Sequence, residues 1–152
     1  MNQVDLLANE LKKLFNGASW IDVNIIETLS PLSAEQAAAK PFESVNSIWE
    51  IVNHLVSWRK GVLKRVQGVH FPSPENNFFE PVADTSSQAW KETLQQLNNS
   101  QQAWSKALEG MNATHLGLKW VPGNQTNYEL ISGILQHDAY HLGQIVLLKK
   151  FV

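Results

Sequence analysis

The chain has no cysteine. That excludes disulfides, thiolate metal sites and a cysteine nucleophile supplied by the chain itself. Charge is also sparse: charged residues make up 17% and the formal net charge is −2. With no basic excess, nothing draws the chain to a polyanion, and nucleic acid is not an expected partner. No apolar run is long enough to span a membrane, and the N-terminus lacks the basic-then-apolar pattern of a secretion signal. The expectation is a cytoplasmic protein with no membrane partner. No segment reads as an alternating strand, and no repeat is visible.

What remains is helical periodicity. The 152 residues, 43% of them hydrophobic, suit one domain over 1–152 with a substantial core. Val4, Leu7, Leu11 and Leu14 share a helix face, and Gly17 is a C-terminal stop. Ser19 is placed to cap a second run from Trp20 to Leu29, which Ser30-Pro31 ends. Ser33-x-x-Gln36 opens a short turn that Pro41 closes. Ser47-x-x-Glu50 is a capping box before a long run with Ile48, Ile51, Val52, Leu55, Val62 and Val66 on its core face. Residues 68–85 form a long connection rich in proline and asparagine, which Phe71, Phe78 and Phe79 are expected to pin down. Thr85-x-x-Gln88 predicts the next helix, which ends at Gly110, and a second loop covers 110–125. Thr126-x-x-Glu129 caps a last helix running to Lys149-Lys150. Four long amphipathic segments and two long connections predict an all-α four-helix bundle.

The last helix carries the chemistry. His137 and His141 are four residues apart, so they share a face one turn from each other. Leu130, Ile134, Ile145 and Leu148 lie on that same side, which turns both imidazoles inward. A lone inward histidine is ordinarily a core residue with a hydrogen-bond partner. A pair at this spacing brings two ring nitrogens within reach of one ion, but two ligands hold a metal poorly. The tail after His141 contains no His, Asp, Glu or Cys, so a third protein ligand must come from upstream. The candidates are His54, His70, His115 and the carboxylates. His54 lies at the edge of its helix's core face, while His70 and His115 fall in loops. Glu50, one turn before His54, is either the capping-box partner of Ser47 or an acceptor for the imidazole N–H. Gln144 sits near His141 on the histidine side, placed to orient it. Asp138 and Tyr140 adjoin the histidines in sequence but on other helix faces. Ile131, Leu135, Leu142 and Val146 are apolar and away from the histidine side, so this helix is central or partly a homodimer interface. Gly133 and Gly143 each cost about 1 kcal/mol in a helix, which predicts close approach of a neighbouring helix.

The motifs Ser47-Ile-Trp-Glu-x3-His54 with Trp58-Arg59, His137-Asp-Ala-Tyr-His141-Leu-Gly-Gln-Ile145, and Gly17-x-Ser-Trp20 together resemble the DinB/YfiT-like family of metal-binding four-helix bundles. The C-terminal motif is the most specific, and the resemblance covers nearly the whole chain. It implies a divalent metal held by His54, His137 and His141, and so selects His54 over the loop histidines. Histidine nitrogen suits zinc, nickel and iron alike. The resemblance further implies a metal-dependent transferase that joins a low-molecular-weight thiol, as cosubstrate, to an electrophilic small-molecule substrate. The alternatives are a metal-dependent hydrolase and a non-catalytic, stress-related binding bundle. It assigns no catalytic side chain.

Overall fold

A computed structural model describes residues 2–152. It is all-α, with seven helices and no named strand among the described residues. Four are long: α1 (Gln3–Asn16), α4 (Ile48–Val66), α5 (Ser87–Glu109) and α7 (Asn127–Leu148). Three are single short turns of helix: α2 (Ile25–Leu29), α3 (Ala34–Ala38) and α6 (Ala113–Gly117). The long helices form the bundle, with α4 against α7 as its most extensive pair. None of the described helices is long and apolar enough to cross a membrane.

Each helix begins at a side chain that accepts a hydrogen bond from an otherwise unsatisfied amide of the first turn. Ser33, Ser47 and Thr126 do so as the spacing predicts, each in a reciprocal capping box. Three starts differ from expectation. The second run does not begin at Ser19: the Ser19 hydroxyl donates to the Val23 carbonyl, Asp22 takes a left-handed φ of 58°, and Asn24 caps α2 instead. Trp20 is consequently 95% exposed rather than part of a helix face. α5 is capped by Ser86 rather than Thr85. The loop after Gly110 contains α6, whose cap is Asn112.

Buried tryptophans pair their indole N–H groups, as desolvated donors must. Trp49 donates to Thr93 Oγ1, Trp90 to the Leu32 carbonyl and Trp104 to the Arg59 carbonyl. The apolar core divides in two. One cluster includes Leu29, Ile48, Trp49, Leu55, Trp90, Leu97, Leu142 and Ile145. The other includes Val4, Leu11, Val62, Trp104, Leu108, Leu130, Ile131 and Ile134. Along α4 and α7 the buried Arg59, Asp138 and His141 fall between the stretches that form the two clusters, and buried His54 adjoins the first of them.

α7 is central in the bundle: Ile131 and Leu142 are fully buried within the chain. The expected close approach at Gly133 and Gly143 is not found. Both are exposed, and a Cβ built at either would meet nothing within 4 Å. The close approach is instead at Gly61 on α4, where a Cβ would come within 2.5 Å of the Phe71 ring. That contact lays the connection after α4 across the helix, and Arg65 anchors it by donating to the Phe71 carbonyl and Ser73 Oγ.

Candidate metal centre

α4 and α7 bring His54, His137 and His141 together, and their nitrogens include one from each ring that all lie within 4.8 Å of one another. His54 and His141 are buried, at 1% and 6% exposure, while His137 is partly exposed. The ring centroids are 4.5–4.9 Å apart. Nε2 of His54 lies 2.9 Å from Nε2 of His137.

The outward nitrogens of His54 and His141 have their own partners. His54 Nδ1 donates to the Asn77 carbonyl at 2.7 Å. His141 Nδ1 donates to Gln144 Oε1 at 2.6 Å, and Gln144 Nε2 donates in turn to Tyr140 Oη at 3.2 Å. A neutral imidazole carries one N–H, so these bonds leave Nε2 of His54 and of His141 as lone pairs. Burial pushes His54 from 6.5 down to about 4; the Asn77 hydrogen bond opposes this, and His141 and His137 add to it. Burial also lowers His141, against the hydrogen bond to Gln144. Both rings are therefore neutral near pH 7, the state that metal ligation requires. Neutral nitrogen donors converging from two rigid helices fit a divalent transition metal, and the three histidines could hold one.

Beside the histidines is a cavity of about 400 Å³, lined also by Asn46, Trp58, Asn77, Phe79, Tyr140 and Gln144. No carboxylate or lysine lines it. Its outer wall comes from the connection after α4. Phe79 stacks on His54 at 4.0 Å between centroids, and Trp58 Nε1 donates to Asn77 Oδ1. Asn77 and Phe78 hold this wall with left-handed φ values of 52° and 60°. Asparagine tolerates that region; phenylalanine is strained there.

The loop histidines stay outside the cluster. His70 is exposed and lies parallel to the Trp120 ring at 6.4 Å, and His115 caps α6 together with Asn112. Glu50 does not serve His54. One carboxylate oxygen accepts from the Ser47 amide at 2.8 Å, and the other pairs with Lys40 at 2.9 Å. The place expected for Glu50 is taken by the carbonyl of Asn77, which lies 23 residues from His54 in sequence.

The sequence reading named two further residues without pairing them. Arg59 and Asp138, 1% and 0% exposed, form a salt bridge beside the histidines. Arg59 also donates to Gln101 Oε1 and, at 3.0 Å, to Ser100 Oγ. A signal for both was available. Arg59 lies four residues after Leu55 and seven after Val52, and Asp138 lies four from both Ile134 and Leu142. Each is a charge standing in an apolar stripe, where it is sustained only by a partner.

The family model described as the DinB superfamily matches residues 23–145. No curated protein and no solved structure matches the chain.

Proposed function

We propose that this chain, which belongs to the DinB superfamily, binds one divalent transition metal through His54, His137 and His141 and transfers a low-molecular-weight thiol to an electrophilic small molecule. The observation that carries the reading is the meeting of three imidazoles at the wall of an open cavity that offers no carboxylate, lysine or cysteine. With the three histidines committed to an ion, Tyr140 is the one further side chain lining the cavity that could serve as an acid or nucleophile. A bound zinc, nickel or iron ion would supply Lewis acidity, lowering the pKa of a thiol that reaches it toward neutrality.

The chain's own side chains do the rest. Asn77 and Gln144 fix which nitrogen of His54 and His141 faces the centre. Trp58 and Phe79 give the cavity apolar walls that exclude water from the sulfur. Tyr140 and Gln144 offer hydroxyl and amide groups at its edge to position the electrophile. The sulfur forms a bond to the electrophilic carbon, the leaving group departs with the electron pair of the broken bond, and the thiol proton passes to solvent.

The test is elemental analysis of the untagged protein, then incubation of the metal-loaded form with panels of thiols and electrophiles while free thiol is followed. One metal per chain and metal-dependent, electrophile-dependent thiol loss are expected. Turnover of an electrophilic ester or amide without thiol would replace the transferase with a hydrolase. Bound metal that raises melting temperature without any turnover would leave a binding bundle. No metal after addition of zinc or nickel at neutral pH would overturn the metal reading.

A further inference from the structure

His137 differs from the other two histidines in one respect. Its Nδ1 is buried without a protein hydrogen-bond partner, and so is Oδ1 of Asp138, 3.8 Å away. Buried polar atoms without partners are uncommon and costly. His54 donates from Nδ1, so its Nε2 is a bare acceptor. His137 Nε2, 2.9 Å from it, must carry the hydrogen between them. His137 Nδ1 and Asp138 Oδ1 thus face each other, and neither is bonded to another protein group.

We infer that Asp138, clamped by Arg59, is a positioning residue for the metal centre: its Oδ1 accepts the Nδ1 proton of His137 and holds Nε2 toward the ion. The inference rests on the metal reading above. With Nε2 committed to an ion, the ring's single proton belongs on Nδ1. The acceptor is already in place. Arg59 holds the other carboxylate oxygen, and Ser100 and Gln101 hold Arg59 in turn. His137 is the most exposed of the three rings, and a shift of about 1 Å at Nδ1 brings the pair within hydrogen-bond range. Each histidine then has its own acceptor: a backbone carbonyl for His54, an amide for His141 and a carboxylate for His137. The carboxylate is the strongest of these acceptors, and it raises the donor strength of the ring it holds.

Removing Asp138 alone would leave Arg59 as an unpaired buried charge and threaten the fold. The test therefore replaces the pair. Arg59→Met/Asp138→Leu substitutes apolar groups of similar size, and Arg59→Met/Asp138→Asn restores an acceptor oxygen. Zinc affinity is measured against a chromophoric chelator, and the histidine ring nitrogens are followed by NMR with and without zinc. The Leu double variant should bind zinc about 10- to 100-fold more weakly than wild type, with the Asn double variant between them. In wild type the His137 proton should move from Nε2 to Nδ1 on zinc binding, and its Nδ1–H signal should persist against solvent exchange. In the Leu double variant that signal should shift and exchange away. Equal zinc affinity in wild type and the Leu double variant, or a zinc-loaded His137 protonated at Nε2, overturns the inference and leaves the metal reading intact. A wild-type protein that binds no zinc overturns both.

Discussion

The two apolar clusters and the polar group beside them belong to one bundle but are built by opposite rules. In the apolar clusters almost any side chain of suitable volume is satisfactory, because burial is non-directional. Trp104 and Leu97, both fully buried on α5, act through volume and, for Trp104, through one indole bond to the Arg59 carbonyl. In the polar group each atom requires a particular partner. His54 needs Asn77, His141 needs Gln144, and Asp138 needs Arg59. An error of one residue there leaves a desolvated donor, acceptor or charge. The bundle would be easier to stabilise without this group. Its presence on α4 and α7, the most extensively packed pair of helices, points to a use other than stability.

The comparison is sharpest where the two regions respond differently to truncation. His54→Ala and His137→Ala should each reduce metal affinity by more than about 100-fold, beyond the cost of losing an outer partner. His70→Ala and His115→Ala should leave it unchanged. Trp104→Ala should do the reverse, costing about 3–5 kcal/mol of stability while the folded protein still takes up one metal. Metal titration alongside denaturant unfolding of all five variants checks this. Equal metal loss in the four histidine variants would break the distinction between clustered and loop histidines.

How much of this division could be read beforehand follows from the same contrast. Apolar stripes repeat with helical period, so the four long helices, the caps of α4 and α7 and the inward turn of His137 and His141 were legible. His54 was harder. On its own helix it stands at the edge of the core face, and 1% exposure results from covering by Phe79 and Asn77, which no local period reports. Glu50 was one candidate for that role because it is near in sequence, and its other reading, as the capping-box partner of Ser47, is the one the fold realises. Its carboxylate is saturated by Ser47 and Lys40. Arg59 and Asp138 were legible in principle as charges within apolar stripes. Their pairing is a contact between residues 79 apart, which only the folded chain supplies.

A smaller effect follows from the low proton affinity of His54. In the metal-free protein its pKa is depressed from 6.5 to about 4. Between those values the unfolded chain holds a proton on this ring and the folded chain does not. Stability from this group is therefore full above about pH 6.5 and is lost as pH falls toward 4. The loss is about 2–3 kcal/mol at most. Other groups titrate in this range, and burial depresses His141 as well. The useful quantity is therefore the difference between wild type and His54→Gln, unfolded by urea at pH 7 and at pH 4.5 in the presence of chelator. Wild type should lose more stability on acidification than the variant. Parallel losses would show that His54 is freely protonated in the fold and that its burial does not set its charge.

The smallest effect tests the boundary of the polar group. Ser47 is 1% exposed and its hydroxyl accepts from the Glu50 amide at 3.1 Å, so Ser47→Ala should cost about 1 kcal/mol, lowering Tm by about 2–4 °C. Glu50→Gln keeps an oxygen for the Ser47 amide and gives up only the charge facing the half-exposed Lys40, so its cost should be below about 1 kcal/mol. Neither substitution should change metal affinity, although Glu50 is one helical turn from His54. Glu50 and His54 are buried on the same helix at similar depth, yet the first is engaged only by the start of that helix and Lys40. Proximity along a helix therefore does not make a residue part of the centre; a hydrogen bond does. A fall in metal affinity in Glu50→Gln, with Tm nearly unchanged, would place Glu50 within the centre and require the Asn77 carbonyl to share His54 with it.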